Sequence, residues 1–390
     1  MRHLTRDLRF MLLSVMLWGF GSSLFIYIQP LYVASLGASP AQIGTALGVG
    51  SFLGLLLYIP IAQYADKIGR KRIIIAGWSL GVVATIGMAA APNWHWFIPA
   101  IAFYQLASAA MPAFYGYIAN RPDDGNLNRI FTTIWSGSYI GSILAPALGG
   151  WIGEQFSLRA LYYTAAFMFT LSTLAISRIH HQPPVASEQK IKPQQLISNR
   201  PFIRQIFYIF LLFFAIDLGQ VLLPQYLEEI HGYSLTQIGQ LGTISAIGVI
   251  LFSTLLGRLN KPPRIPIALI QLGLIAALIL WLSSPLPLLV GIGYFIHGRN
   301  RLAQPFIDSR LASTLSPEEL NLGYSFREIA MRLGLAVSPV AAGILYAQQP
   351  TWPLYAGFTC LLGTTLFTFL LPTPAPNPSW QTAVIKKSSN

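Results

Sequence analysis

From Ala41 to Ile61 the chain carries no charged residue, and a second uncharged run begins at Ile73. A helix needs about 20 apolar residues to cross a hydrocarbon core about 30 Å thick. The thirteen residues between, Ala62 to Ile74, hold four cations, Asp66 and Gly69. Such a segment between two spanning runs reads as a short turn at a membrane face. Lys67, Arg70, Lys71 and Arg72 assign that face to the cytoplasm, because short cytoplasmic loops are enriched in Lys and Arg. Charged residues make up 10% of the 390, against about 25% in a soluble protein, and mean hydropathy is +0.55. The sequence therefore belongs to an integral membrane protein. A net charge of +12 would suggest nucleic acid in a soluble chain. Here the cations sit between apolar runs, so they read as topology signals and contacts to anionic lipid, with no nucleic-acid partner.

The turn resembles the loop between helices 2 and 3 of the major facilitator superfamily, small-x-aromatic/aliphatic-Ala-Asp-basic-x-Gly-Arg-Lys-x. Asp66, Gly69, Arg70 and Lys71 fall at its defining positions, and Ala62 replaces the usual leading glycine. The resemblance implies that these residues form a conformational latch between two halves of the molecule. It also implies an all-α fold of twelve transmembrane helices in two pseudo-symmetric six-helix halves.

Twelve spans fit, roughly 9–34, 41–64, 72–91, 95–119, 129–153, 158–178, 203–229, 236–257, 265–283, 286–312, 323–347 and 352–371. The cation-rich loops all fall on one side, which places both termini in the cytoplasm and the protein in the plasma (inner) membrane as a multi-pass chain. The organisation expected is an N-terminal half (1–178), a cytoplasmic linker (179–202), a C-terminal half (203–371) and a disordered tail (372–390). In the linker, His180 and His181 read as solvated rather than metal-binding. A single cysteine, Cys360, excludes a disulfide within the chain.

The halves repeat. Pro30-Leu-Tyr32 followed by Gln42-Ile-Gly44 is answered by Pro224-Gln-Tyr226 followed by Gln237-Ile-Gly239. Gly141, Pro146 and Gly150 are answered by Gly334, Pro339 and Gly343 at one constant offset. A parallel repeat with its binding site at the interface is a known transporter plan. Gly141, Pro146, Gly149 and Gly150 also resemble the helix-5 motif of antiporters in the superfamily, with Ala145 in place of a glycine; that resemblance implies export. The arginine of helix 4 found in the family is missing, since no charge lies between Phe97 and Ala119.

Ionisable residues at bilayer depth are costly and are functional candidates by default. The N-terminal half buries none, so Asp217 in span 7 is the candidate proton-coupling residue. Gln29, Gln105, Gln220, His297, Arg299 and Arg301 are candidates for a substrate cavity, with Arg299 or Arg301 at a depth that permits pairing with Asp217. Asp308, Arg327, Glu328 and Arg332 read as structural ion pairs, the last two at i,i+4 spacing. Aromatic residues including Trp18, Phe25, Tyr27 and Tyr294 are candidates for an apolar cavity wall. No catalytic set, phosphate-cradling loop or metal-ligand spacing is present in the sequence, so no enzyme activity, cofactor or metal is expected. The reading is a monomeric secondary transporter working by alternating access, with proton-coupled export of a small amphiphilic or sugar-like compound. Uptake of an anionic metabolite and a non-transporting receptor or scaffold of the same fold stay open as alternatives.

Overall fold

The computed structural model describes residues 5–119, 127–182, 196–259, 261–298, 303–312, 314–315 and 319–370; the side chains of 57–68, 127–129 and 321 lie outside the description. Among the described residues twelve helical rods follow one another. They are α1 (Arg6–Phe25, then Gln29–Ser35), α2 (Pro40–Ile68), α3 (Arg70–Ala90), α4 (Trp94–Ala107, continuing to Ala119), α5 (Leu127–Gln155) and α6 (Leu158–Ser177). Then come α7 (Arg200–Leu218, then Leu223–His231), α8 (Leu235–Gly257), α9 (Arg264–Ser283), α10 (Pro287–His297, then Ala303–Ala312), α11 (Leu320–Gln348) and α12 (Trp352–Leu370). Among the described residues nine helices are long and apolar enough to cross a membrane, and shorter apolar helices run over Pro40–Leu56 and Pro287–His297. This is a multi-pass membrane protein.

The packing is the same in both halves. In the first, α1 lies against α5 and α6, α4 against α2 and α3, and α3 against α6. In the second, α7 lies against α11 and α12, α10 against α8 and α9, and α9 against α12. Between the halves α2 packs on α11 and α5 on α8. Each half also carries a buried polar knot at matching places. In the first, Ser14 Oγ meets Ser172 Oγ at 2.9 Å, and Trp78 Nε1 donates to Ser172 Oγ at 3.0 Å. In the second, Tyr208 Oη meets Thr368 Oγ1 at 2.6 Å, and Thr368 donates to Gln271 Oε1 at 2.9 Å. Helices in lipid gain little from apolar burial against each other, so interhelical hydrogen bonds and close packing hold them.

Three spans differ from the continuous runs expected from hydropathy. The first breaks at residues 26–28 and the seventh at 219–222, while the tenth is described as two segments on either side of 299–302. The cause in the first two is Pro30 and Pro224, each at the start of a second segment. A proline supplies no N–H to the preceding turn, and its ring clashes with the carbonyl four residues back. The charged turn also differs from expectation. Helix occupies nearly all of residues 62–74, and only Gly69 interrupts it, with φ +96°. That left-handed conformation suits glycine and strains residues with a Cβ.

Candidate functional site

The two proline breaks meet in one cavity of about 390 Å³. Ile26, Tyr27, Gln29 and Pro30 line it from the α1 break, and Asp217, Gln220, Val221, Leu223 and Pro224 from the α7 break. Ser245 and Val249 of α8, Trp281 of α9, Tyr294 and His297 of α10 and Leu335 of α11 complete much of the wall. Most of the lining comes from the second half. Interrupted helices suit such a site, since irregular backbone at membrane depth is tolerated where it lines a cavity.

Asp217 is the one acid among the described lining residues. It occupies the last turn before the α7 break, where its backbone oxygen accepts from Gln220 and Val221, both at 3.0 Å. Its carboxyl lies beside the Ser338 hydroxyl of α11 and the Gln220 side chain. Gln29, Gln220 and His297, read from sequence as cavity residues, all line this space. Gln105 does not: its amide donates to Ser51 Oγ on α2 at 3.0 Å, within the packing of the first half. Arg299 and Arg301 lie outside the described residues. Of the aromatic wall, Tyr27 and Tyr294 reach the cavity, whereas Trp18 stacks on Phe169 at 4.2 Å and Phe25 on Tyr162 at 4.9 Å within the first half.

The other candidates gather elsewhere. Arg327 is 8% exposed and bridges Asp308 at 2.9 Å and Glu328 at 2.6 Å; Glu328 in turn holds Arg332 at 2.8 Å. Arg310, which the sequence reading passed over, is buried with its guanidinium 5.6 Å from the centre of the Tyr208 ring. Asp66 ends α2 with its side chain outside the description, Arg70 opens α3 against Gly116 of α4, and Lys71 follows. His180 is not merely solvated. Its Nδ1 meets Asp7 Oδ1 at 2.8 Å, and the Tyr117 hydroxyl donates to the same carboxylate at 2.6 Å.

The helix-5 motif is a packing surface with two faces. A Cβ on Gly141 would overlap the Met16 carbonyl of α1, and one on Gly149 the Leu24 carbonyl. One on Gly150 would overlap the Leu235 carbonyl of α8 in the other half, and the Pro146 carbonyl sits where a Cβ on Gly239 would go. Just past Pro146, the Ala147 N–H donates to Thr243 Oγ1 of α8 at 3.2 Å.

Residues 11–304 match the profile of the Major Facilitator Superfamily. The chain belongs to that family. It resembles the multi-drug resistance efflux pump PmrA of Streptococcus pneumoniae, at 24% identity over 385 residues, covering 91% of this chain and 94% of that one. The multidrug resistance protein MdtG of Yersinia enterocolitica is 25% identical over 304 residues, covering 73% of each. Among solved structures, a mutant of the nucleoside transporter NupG superposes with a TM-score of 0.77 at 14% identity, covering 94% of this chain and 98% of that one. A bacterial homologue of the human lysosomal transporter Spinster, inward-facing and unoccupied, gives 0.69 at 15%, covering 94% of each. This facilitator-superfamily member is thus a transporter of small molecules, not an enzyme.

Proposed function

We propose that this transporter exports small amphiphilic compounds by alternating access, driven by proton antiport at Asp217. The observation that carries the reading is the cavity itself, where a single described acid stands at a helix break among aromatic and amide side chains. An acid that is alternately protonated from one side and replaced by substrate on the other provides reciprocal coupling, since each ligand lowers the affinity for the other. The described lining holds no lysine or arginine, which favours neutral or cationic compounds over anions. The named pumps among its relatives support export. Both termini are taken as cytoplasmic, from the one-sided Lys and Arg, so the end of the molecule away from them faces outward. At that end α5 touches α8 and α2 touches α11, so the outer end is closed. Asp66 and the Gly69–Lys71 segment are assigned the latch at the opposite, cytoplasmic end.

The test is Asp217→Asn. Gradient-driven efflux from loaded vesicles should fall at least roughly tenfold, about 1.4 kcal/mol of coupling, while substrate exchange without a gradient persists. Full gradient-driven efflux with unchanged pH dependence would remove Asp217 from the mechanism.

A further inference from the structure

Buried tyrosines in this protein mostly spend their hydroxyls. Tyr32 donates to the Met88 carbonyl at 2.8 Å, Tyr233 to the Pro285 carbonyl at 2.8 Å, and Tyr346 to Glu229 at 2.7 Å. Among the described residues the buried hydroxyl of Tyr294 has no partner, whereas that of Tyr162 lies beside the Gln29 side chain. Of these, Tyr294 lines the cavity and Tyr162 does not.

Tyr294 is 2% exposed, and its ring is held from two sides. The Trp281 ring lies 5.4 Å away, tilted by 57°, and the His297 ring 6.3 Å away at 63°. Trp281 is itself fixed, with its Nε1 donating to the Val290 carbonyl at 3.3 Å and its indole seated where a Cβ on Gly293 would go. A hydroxyl clamped in this way has little freedom to seek another acceptor. A buried donor left unmade is expensive, and it recovers its hydrogen bond only when something in the cavity accepts it. The indole N–H next to it is already used, so it does not compete for that acceptor.

We infer that Tyr294 is a specificity-determining residue whose hydroxyl donates to a hydrogen-bond acceptor on the substrate, so that amphiphiles bearing a carbonyl or ether oxygen are selected over hydrocarbon analogues. A site built to hydrogen-bond discriminates against a ligand lacking the matching group, because its own polar group is then left unpaired. The inference rests on the cavity being the substrate site, as proposed above.

The experiment uses the full-length purified chain and two cations that differ in one group, phenacyltrimethylammonium with a ketone and phenethyltrimethylammonium with a methylene in its place. Wild type should bind the ketone roughly tenfold more tightly. Tyr294→Phe should lose that preference by weakening the ketone alone, with binding of the methylene compound unchanged. Phenylalanine keeps the ring and removes only an unpartnered hydroxyl, so the melting temperature should not fall. A preference that survives in Tyr294→Phe, or equal binding of both cations by wild type, overturns the inference and leaves the cavity reading standing. A fall in melting temperature would show that the hydroxyl serves the fold and would overturn it as well. If wild type binds neither cation, the reading of the cavity fails and the inference falls with it.

Discussion

The two contacts that close one end of the molecule are related by the internal repeat, yet they are held differently. On the α2–α11 seam, a Cβ on Gly44 would overlap the Pro339 carbonyl, one on Gly48 the Ala336 carbonyl, and one on Gly343 would fall 2.6 Å from the Pro40 carbonyl. Among the described residues no side-chain hydrogen bond joins α2 to the part of α11 from Pro339 onward. The α5–α8 seam has the same glycine contacts at Gly150 and Gly239, and polar bonds besides. Thr243 accepts from the Ala147 N–H, and Glu154 accepts from the Thr236 N–H at 2.9 Å, in the first turn of α8. A carboxylate at a helix N-terminus is favourably placed, because unpaired amides and the helix dipole both point at it. In the other seam the position matching Glu154 is Ala347, whose side chain has no acceptor to offer the first turn of the facing helix. Close packing is thus common to both seams, while hydrogen bonding belongs to one. A duplicated plan can keep its shape in both copies and place its adjustable chemistry in just one.

Three experiments bear on that contrast. The largest effect is expected from Gly150→Ala and Gly343→Ala, since each added methyl meets backbone that cannot step aside. Each should prevent closure and cut efflux by more than roughly tenfold, costing about 1–3 kcal/mol in the closed state. If one of them transports normally, the seams do not share a packing requirement. Next comes Thr243→Val, which keeps the shape and removes the acceptor for Ala147. It should destabilise the closed state by about 1 kcal/mol, read as roughly fivefold faster labelling of a cysteine placed at Ile26 in a Cys360→Ala background. The smallest effect belongs to Glu154→Gln, because that carboxylate is exposed and solvent screens it. Labelling should rise roughly twofold and the difference from wild type should shrink in high salt. Unchanged labelling in both Thr243→Val and Glu154→Gln would mean the polar bonds of α5–α8 do not bias opening, and the two seams would be equivalent after all.

Much of this architecture could be read from the chain, and the limits of that reading have physical causes. Spans are local properties, so hydropathy located all twelve to within a few residues. The repeat was visible too, with Pro30 matched to Pro224, but its meaning as a pair of helix breaks was missed because an apolar run continues through both. Spacing along a helix is legible from residue counting, which is why Glu328 and Arg332 could be paired at i,i+4. Rotation and lateral contacts are not. Nothing local tells Ser14 that it will meet Ser172, or directs Gln105 toward Ser51 while Gln29 turns to the cavity. His180 was read as solvated because its neighbours in sequence are polar, whereas its partner, Asp7, stands at the other end of the half. Tyr294 is legible in the sequence as one of several aromatic candidates for the cavity wall. What sets it apart, a hydroxyl with nothing to bond, is defined only by its three-dimensional surroundings.

The contact between His180 and Asp7 has a mechanical consequence for the chain joining the halves. Beyond it, Gln182 donates to the Tyr117 carbonyl at 3.1 Å, so the connector leaves the first half from a fixed mooring. It is moored again at Leu196, which is fully buried with Phe202, Leu311 and Leu315 in the second half. The stretch from 183 to 195 between those moorings can extend to no more than roughly 50 Å. Whatever swing the two halves make, Gln182 and Leu196 cannot part by more than that, and freeing both His180 and Gln182 would lengthen the connector toward the N-terminal half without altering a residue of the cavity. The reach of the connector is thus set by where it is moored, separately from the chemistry of the cavity.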